Sequence, residues 1–202
     1  PIHDVDAKRF CVPGDLLFSY LLTRYGVCQQ LSCQFSGMVS ADVMLHCKLT
    51  EGQIQVCDDQ DKVYLTINFS GEHSHNLDVI EPLFQDYVQF SGKNFPHILQ
   101  PLMAEQGVMI HPQRPLVIYE SMTLSFTVLP KQSPRLELAA STLVVEGKRG
   151  TATLSFALTE NGQQIGKGEK RMILSNLQPY NEEQMQQMVT EYNNRKLAAG
   201  CL

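Results

Sequence analysis

Twice along the chain the spacing of apolar residues changes from that of a helix to that of a strand. No other feature limits the fold as much. Leu16, Leu17, Phe18, Tyr20, Leu21 and Leu22 leave almost no polar face, so a buried helix is expected over 14–25, ended by Gly26. Alternation follows: Leu31, Cys33, Phe35, Gly37 and Val39; then Val43, Leu45, Cys47 and Leu49; then Val63, Leu65, Ile67 and Phe69. Asp58–Asp61 reads as a loop between strands.

The second switch starts with helical text from about Leu77 to Gln106, broken near Ser91-Gly92, Pro96 and Pro101 into two or three short helices. Strand text then runs through Met122, Leu124, Phe126 and Val128, through Leu136, Leu138 and Ala140, and through Leu143 and Val145. Glu146–Gly150 reads as a turn, Ala152–Leu158 as a further strand, and Gly168–Leu174 as the last one. Asn161-Gly162 is the strongest hairpin signal, because both residues accept positive φ. Asn181 can cap a final amphipathic helix with Met185, Met188, Val189 and Tyr192 on its apolar face. The expected organisation is two similar α+β units, 1–75 and 76–178, and a C-terminal helix in 179–202.

Composition sets outer limits on function. The 202 residues carry a net charge of −5. That balance argues against nucleic acid as a partner, because phosphate binding needs a basic surface. No window approaches the roughly 20 apolar residues of a membrane span, and no leader peptide is visible. A cytoplasmic protein is therefore expected, with a homodimer as an allowed assembly. The chain begins at Pro1 rather than Met, so a natural extension upstream is expected. The six cysteines, at 11, 28, 33, 47, 57 and 201, form no Cys-x-x-Cys. Buried free thiols are the leading reading, with disulfides or a metal cluster as alternatives. His73-Ser74-His75 reads as a polar turn, since a metal would need a third ligand. There is no Gly-x-Ser-x-Gly, no Walker loop and no dinucleotide fingerprint.

The N-terminal text carries the chemistry. His3 lies in a short polar segment, and Pro13-Gly14 opens the apolar helix. A helix N-terminus offers free N–H groups to a carbonyl, and histidine can shuttle a proton near neutral pH. Pro1-Ile2-His3 followed by Gly14 resembles the Asp-x-Asn-Pro-x-His signature and helix-opening glycine of the MaoC-like (R)-specific enoyl-CoA hydratases. The resemblance is specific over about a tenth of the chain, and the strand Leu31–Val39 also looks like the first strand after the helix there. It implies a hot-dog fold, here doubled: buried helices wrapped by curved antiparallel sheets. The chain also looks like an uncharacterised bacterial family of that fold.

The resemblance implies roles. His3 would act with an Asp upstream of Pro1 on an enoyl or hydroxyacyl thioester of CoA or an acyl carrier protein. Gly14 would let the helix end approach the thioester carbonyl, and no cofactor is implied. Ser91-Gly92-Lys93-Asn94-Phe95-Pro96-His97 echoes the signature with Gly92 in place of the Asp. Asn94 and His97 would then belong to a second, inactive copy; the plainer alternative is a helix-ending turn with His97 starting the next helix. Asp15 departs from the family pattern. It is either a carboxylate favoured by the helix dipole, by roughly 0.3–1 kcal/mol, or a group recruited as in hot-dog thioesterases. A site shared between the units would bring Pro1–Gly14 near Ser91–His97, with Phe90, Phe95 and Ile98 lining an acyl tunnel or simply packing in the core. The reading thus expects an acyl-thioester hydratase or dehydratase, or alternatively a non-catalytic hot-dog protein that binds an acyl or apolar ligand or serves assembly.

Overall fold

The computed structural model describes residues 10–198. Helix α1 (Gly14–Tyr25) leads into strands β1 (Val27–Phe35), β2 (His46–Thr50), β3 (Gln53–Cys57) and β4 (Val63–Ser74). Helices α2 (Leu77–Gly92), α3 (Asn94–His97) and α4 (Leu99–Glu105) follow, then β5 (Val108–Met109). Strands β6 (Leu116–Phe126), β7 (Arg135–Glu146), β8 (Arg149–Glu160) and β9 (Gln163–Ser175) complete the second set. The chain ends with β10 (Gln178–Pro179), paired to β5, and α5 (Glu182–Ala198).

One antiparallel sheet holds eight strands in the order β2-β3-β4-β1-β6-β9-β8-β7. Each set of four has the same internal order, first strand against fourth, fourth against third, third against second. The two sets join where β1 pairs antiparallel with β6, Ser32 opposite Thr123. Helices lie against the sheet on the face where Leu31, Cys33, Leu65, Ile67, Met122, Leu124, Leu154 and Phe156 are buried. This is the hot-dog arrangement, α+β, that the two period switches and the N-terminal resemblance lead one to expect.

Local chemistry explains the boundaries. Gly26 takes φ 85° and returns its N–H to the Leu22 carbonyl, closing α1. Asn76 accepts a hydrogen bond from the Asp78 N–H and starts α2. Asn161 and Gly162 take φ 51° and 75° and turn β8 into β9. Asn181 accepts the Gln184 N–H at 2.9 Å and starts α5. A Cβ on Gly168 would lie 2.3 Å from the Phe156 ring, so that glycine makes room for the ring opposite it on β8.

Other expectations need correction. Helix α1 is one-sided rather than wholly buried: Phe18, Leu21 and Leu22 are buried while Leu16 and Tyr20 are more than half exposed. Leu16 and Tyr20 stand four residues apart, on a face that neither the sheet nor α2 covers. Strand β3 adds to the expected strands, and in it Ile54 and Val56 alternate with glutamines. His73-Ser74 is not a turn but the end of β4. Leu136–Val145 is one strand, whose apolar phase shifts at a bulge between Leu138 and Ala140. Pro101 does not break α4, because it sits in the first turn. Cys28, Cys33, Cys47 and Cys57 are free, and Cys201 lies outside the described residues.

Candidate functional site

Two features lie at opposite ends of α1. At its N-terminus, Asp15 enters a buried polar cluster with four side chains from three other elements. Tyr87 and Ser91 lie one turn apart on α2, Tyr119 comes from β6 and Lys170 from β9. Lys170 Nζ donates to Asp15 Oδ1 at 3.0 Å, Ser91 Oγ at 2.6 Å and Tyr87 Oη at 3.5 Å. Those three acceptors use all three ammonium protons. Ser91 Oγ donates to Asp15 Oδ2 at 2.5 Å, and the Tyr87 hydroxyl donates to Oδ1. The Tyr119 hydroxyl meets that of Tyr87, and the ammonium lies 4.2 Å from the Tyr119 ring centroid.

The charges follow from this geometry. Burial works to raise the Asp15 carboxyl, but the Lys170 charge and the bonds from Ser91, Tyr87 and Lys170 outweigh it. The carboxyl is held below its ordinary value. Burial lowers the Lys170 ammonium, opposed by the Asp15 charge. Burial also raises the Tyr87 and Tyr119 phenols well above their ordinary value, so both remain neutral donors. Asp15 is therefore an ionised carboxylate that accepts three hydrogen bonds from the cluster. Such a group holds elements together well and makes a poor proton acceptor at neutral pH.

At the other end of α1 is a cavity of about 360 Å³. Leu21, Leu22 and Tyr25 of α1 form one wall, Cys28 and Leu31 of β1 and Ile67, Phe69 and His73 of β4 another. Ile54 of β3 and the hairpin Leu49–Gly52 close the third side, and His75 lies at the rim. The volume is within the usual range for small-ligand sites, roughly 300–1,000 Å³. Most of the lining is apolar, with polar groups at Thr50, Glu51, His73 and His75. The rings of His73 and His75 stand 4.3 Å apart. Among the described residues no group of three or more His, Cys, Asp or Glu could hold a metal ion.

The sequence-derived site residues fall as follows. His3 lies outside the described residues. Gly14 opens α1, but the space a Cβ would take is filled by the Phe35 and Tyr119 rings, 3.0 and 2.9 Å away. Close aromatic packing therefore accounts for the glycine. Asp15 meets Ser91 at the start of the second segment, while residues 1–9 of the expected Pro1–Gly14 face lie outside the described residues. Asn94 is buried against Met172, with its amide nitrogen 3.8 Å from the sulfur and its Oδ1 without a partner. His97 departs from expectation: it is exposed at the end of α3, because the buried side of that short helix is taken by Asn94 and Pro96. Phe90 packs on Phe156 and Phe95 on Tyr192, the core-packing alternative, and neither lines the cavity. Sequence reading missed Lys170, Tyr87 and Tyr119. Lys170 carried a signal, since Gly166, Gly168, Met172 and Leu174 on β9 are buried in phase with it.

The chain belongs to the family described as Protein of unknown function (DUF3581), whose model matches residues 1–183. No curated protein matches it. Among solved structures it is similar to the tesB protein MAP1729c of Mycobacterium avium subs paratuberculosis, at 8% identity and a TM-score of 0.47, over 85% of this chain and 90% of that one. It is similar to an acyl-CoA thioesterase II TesB2 from Mycobacterium marinum, at 8% identity and 0.47, over 89% and 98%. A monomeric dehydratase domain from a trans AT polyketide synthase split module is similar at 15% identity and 0.36, over 82% and 90%.

Proposed function

We propose that this member of the DUF3581 family binds the acyl chain of a thioester in the cavity at the C-terminal end of α1. In this reading residues 1–75 and 76–178 are the two hot-dog units, 179–202 is an appended helix, and the first unit holds the ligand. The observation that carries the proposal is the cavity itself. Leu21, Leu22, Leu31, Ile54 and Ile67 offer an apolar bed, and polar groups are confined to Thr50, Glu51, His73 and His75. An extended alkyl chain with a polar end matches that division.

A chain-length series tests it. Each added methylene buried should strengthen binding by up to about 0.8 kcal/mol. Calorimetric titration of the protein with butanoyl-, hexanoyl-, octanoyl- and decanoyl-CoA should show affinity rising stepwise until the cavity is full. Affinity independent of chain length, or absent throughout, would rule the proposal out.

Turnover is the second reading, and one observation favours it. The Asp15 side chain keeps 28% of its surface exposed in the first turn of α1, where the resemblance to MaoC-like hydratases puts the carbonyl. That reading needs His3 as the proton carrier. Enoyl absorbance should then fall on adding crotonyl-CoA and stay constant with His3→Ala. Constant absorbance with the unaltered protein leaves binding alone.

A further inference from the structure

We propose that Cys28 and His73 form a nucleophilic pair that takes over the acyl group of the bound thioester. The proposal rests on the acyl-binding reading and adds a covalent step within the same cavity. Both residues line that cavity, and they stand directly opposite each other across the β1–β4 ladder. Directly opposed residues in an antiparallel pair hold their Cβ atoms about 4.5–5.5 Å apart.

This pairing depends on a bulge. From Phe35–Leu65 to Gln30–Ser70 the ladder keeps one register, which would have set Glu72 opposite Cys28. The register then slips, with Gly71 and Glu72 set against Gln29 alone, and His73 becomes the partner of Cys28. Bulges of this kind re-aim side chains beside active sites. The slip therefore sets a histidine, rather than a glutamate, opposite Cys28.

The imidazole is tethered through one nitrogen. His73 Nε2 lies 2.5 Å from the Tyr25 carbonyl oxygen at the end of α1. A carbonyl can only accept, so in the neutral ring Nε2 carries the proton and Nδ1 keeps its lone pair. The His75 ring at 4.3 Å and the Phe69 ring at 6.3 Å flank it. In the proposed step the Cys28 thiol is the nucleophile, the His73 imidazole the base, and the Tyr25 carbonyl the third group that holds the base. Cys28 is 4% exposed, and burial raises its thiol above the ordinary value. It rests protonated and needs the base.

The step balances without a co-reactant. Cys28 gives its proton to His73 Nδ1 as Sγ attacks the thioester carbonyl carbon. The tetrahedral adduct collapses, the original carbon–sulfur bond breaks, and the departing thiolate takes the proton from His73. One thioester is exchanged for another with no change of oxidation state.

Intact-mass spectrometry of the full chain incubated with octanoyl-CoA, followed by peptide mapping, tests the pair. One octanoyl group is expected on Cys28, released by neutral hydroxylamine. It should be absent in Cys28→Ala, present in Cys47→Ala, and formed about 10²-fold or more slowly in a folded His73→Gln variant. The mapping of the unaltered protein decides the matter whether or not the variants fold. Octanoyl-CoA that binds in the titration without acylating the protein, or that acylates a different cysteine, overturns the pair and leaves the binding reading standing. Absence of binding as well overturns both.

Discussion

Replacing Asp15 with alanine should destabilise the protein by about 3–5 kcal/mol, the usual cost of removing one member of a buried ion pair. The cost arises from what stays behind. Lys170, with a side chain 3% exposed, would keep its ammonium among the Tyr87 and Ser91 oxygens with no counter-charge. Asp15→Ala combined with Lys170→Met should recover roughly half of the loss or more, because the unpaired charge goes too. Urea denaturation of the single and double variants measures both. A single-variant loss below about 1 kcal/mol would mean that the cluster does not hold α1 to α2 and β9.

The same pair sets an acid limit. The folded-state pKa of Asp15 lies below its ordinary value. Its contribution is therefore fully present above the unfolded-state value of about 3.9 and is lost as pH falls through the lower folded-state value. Denaturation curves of the unaltered protein should lose stability below about pH 4, and Asp15→Asn should lose less over that window.

Ile54→Trp should weaken octanoyl-CoA binding at least about 100-fold and leave the melting temperature within a few degrees. Ile54 is buried on β3 and faces the cavity. A larger ring there has empty space to enter, unlike one forced into a packed core. If it displaces about four methylenes of the ligand, the loss is about 3 kcal/mol, which exceeds 100-fold in affinity. Unchanged affinity in a folded variant would show that the acyl chain lies elsewhere.

The two features differ in how far the sequence discloses them. Helix α1 and strands such as Val63–Phe69 follow from spacing, because each element buries one side of a regular repeat. Asp15 was visible as a first-turn carboxylate, but its partners come from α2, β6 and β9, more than seventy residues away. Lys170 lies in the run Lys167–Arg171, and composition there suggests solvent. Only its phase with Gly168 and Met172 marks it as inward. The cavity left no local trace at all. Leu31, Ile54 and Ile67 read as ordinary core residues, and the space between them depends on how α1 and the β2–β3 hairpin stand apart. His73 reads as part of a polar turn because the bulge at Gln29 is a property of the ladder and has no residue in the sequence to announce it.

The central claim concerns where the acyl chain goes, and methyl-labelled NMR during titration with octanoyl-CoA tests it most directly. The account predicts shifts concentrated at the methyl groups of Leu21, Leu22, Leu31, Ile54 and Ile67, with those of Leu154, Leu158 and Leu174 nearly unmoved. Shifts centred on the β8–β9 methyls, with the cavity methyls unmoved, would contradict it.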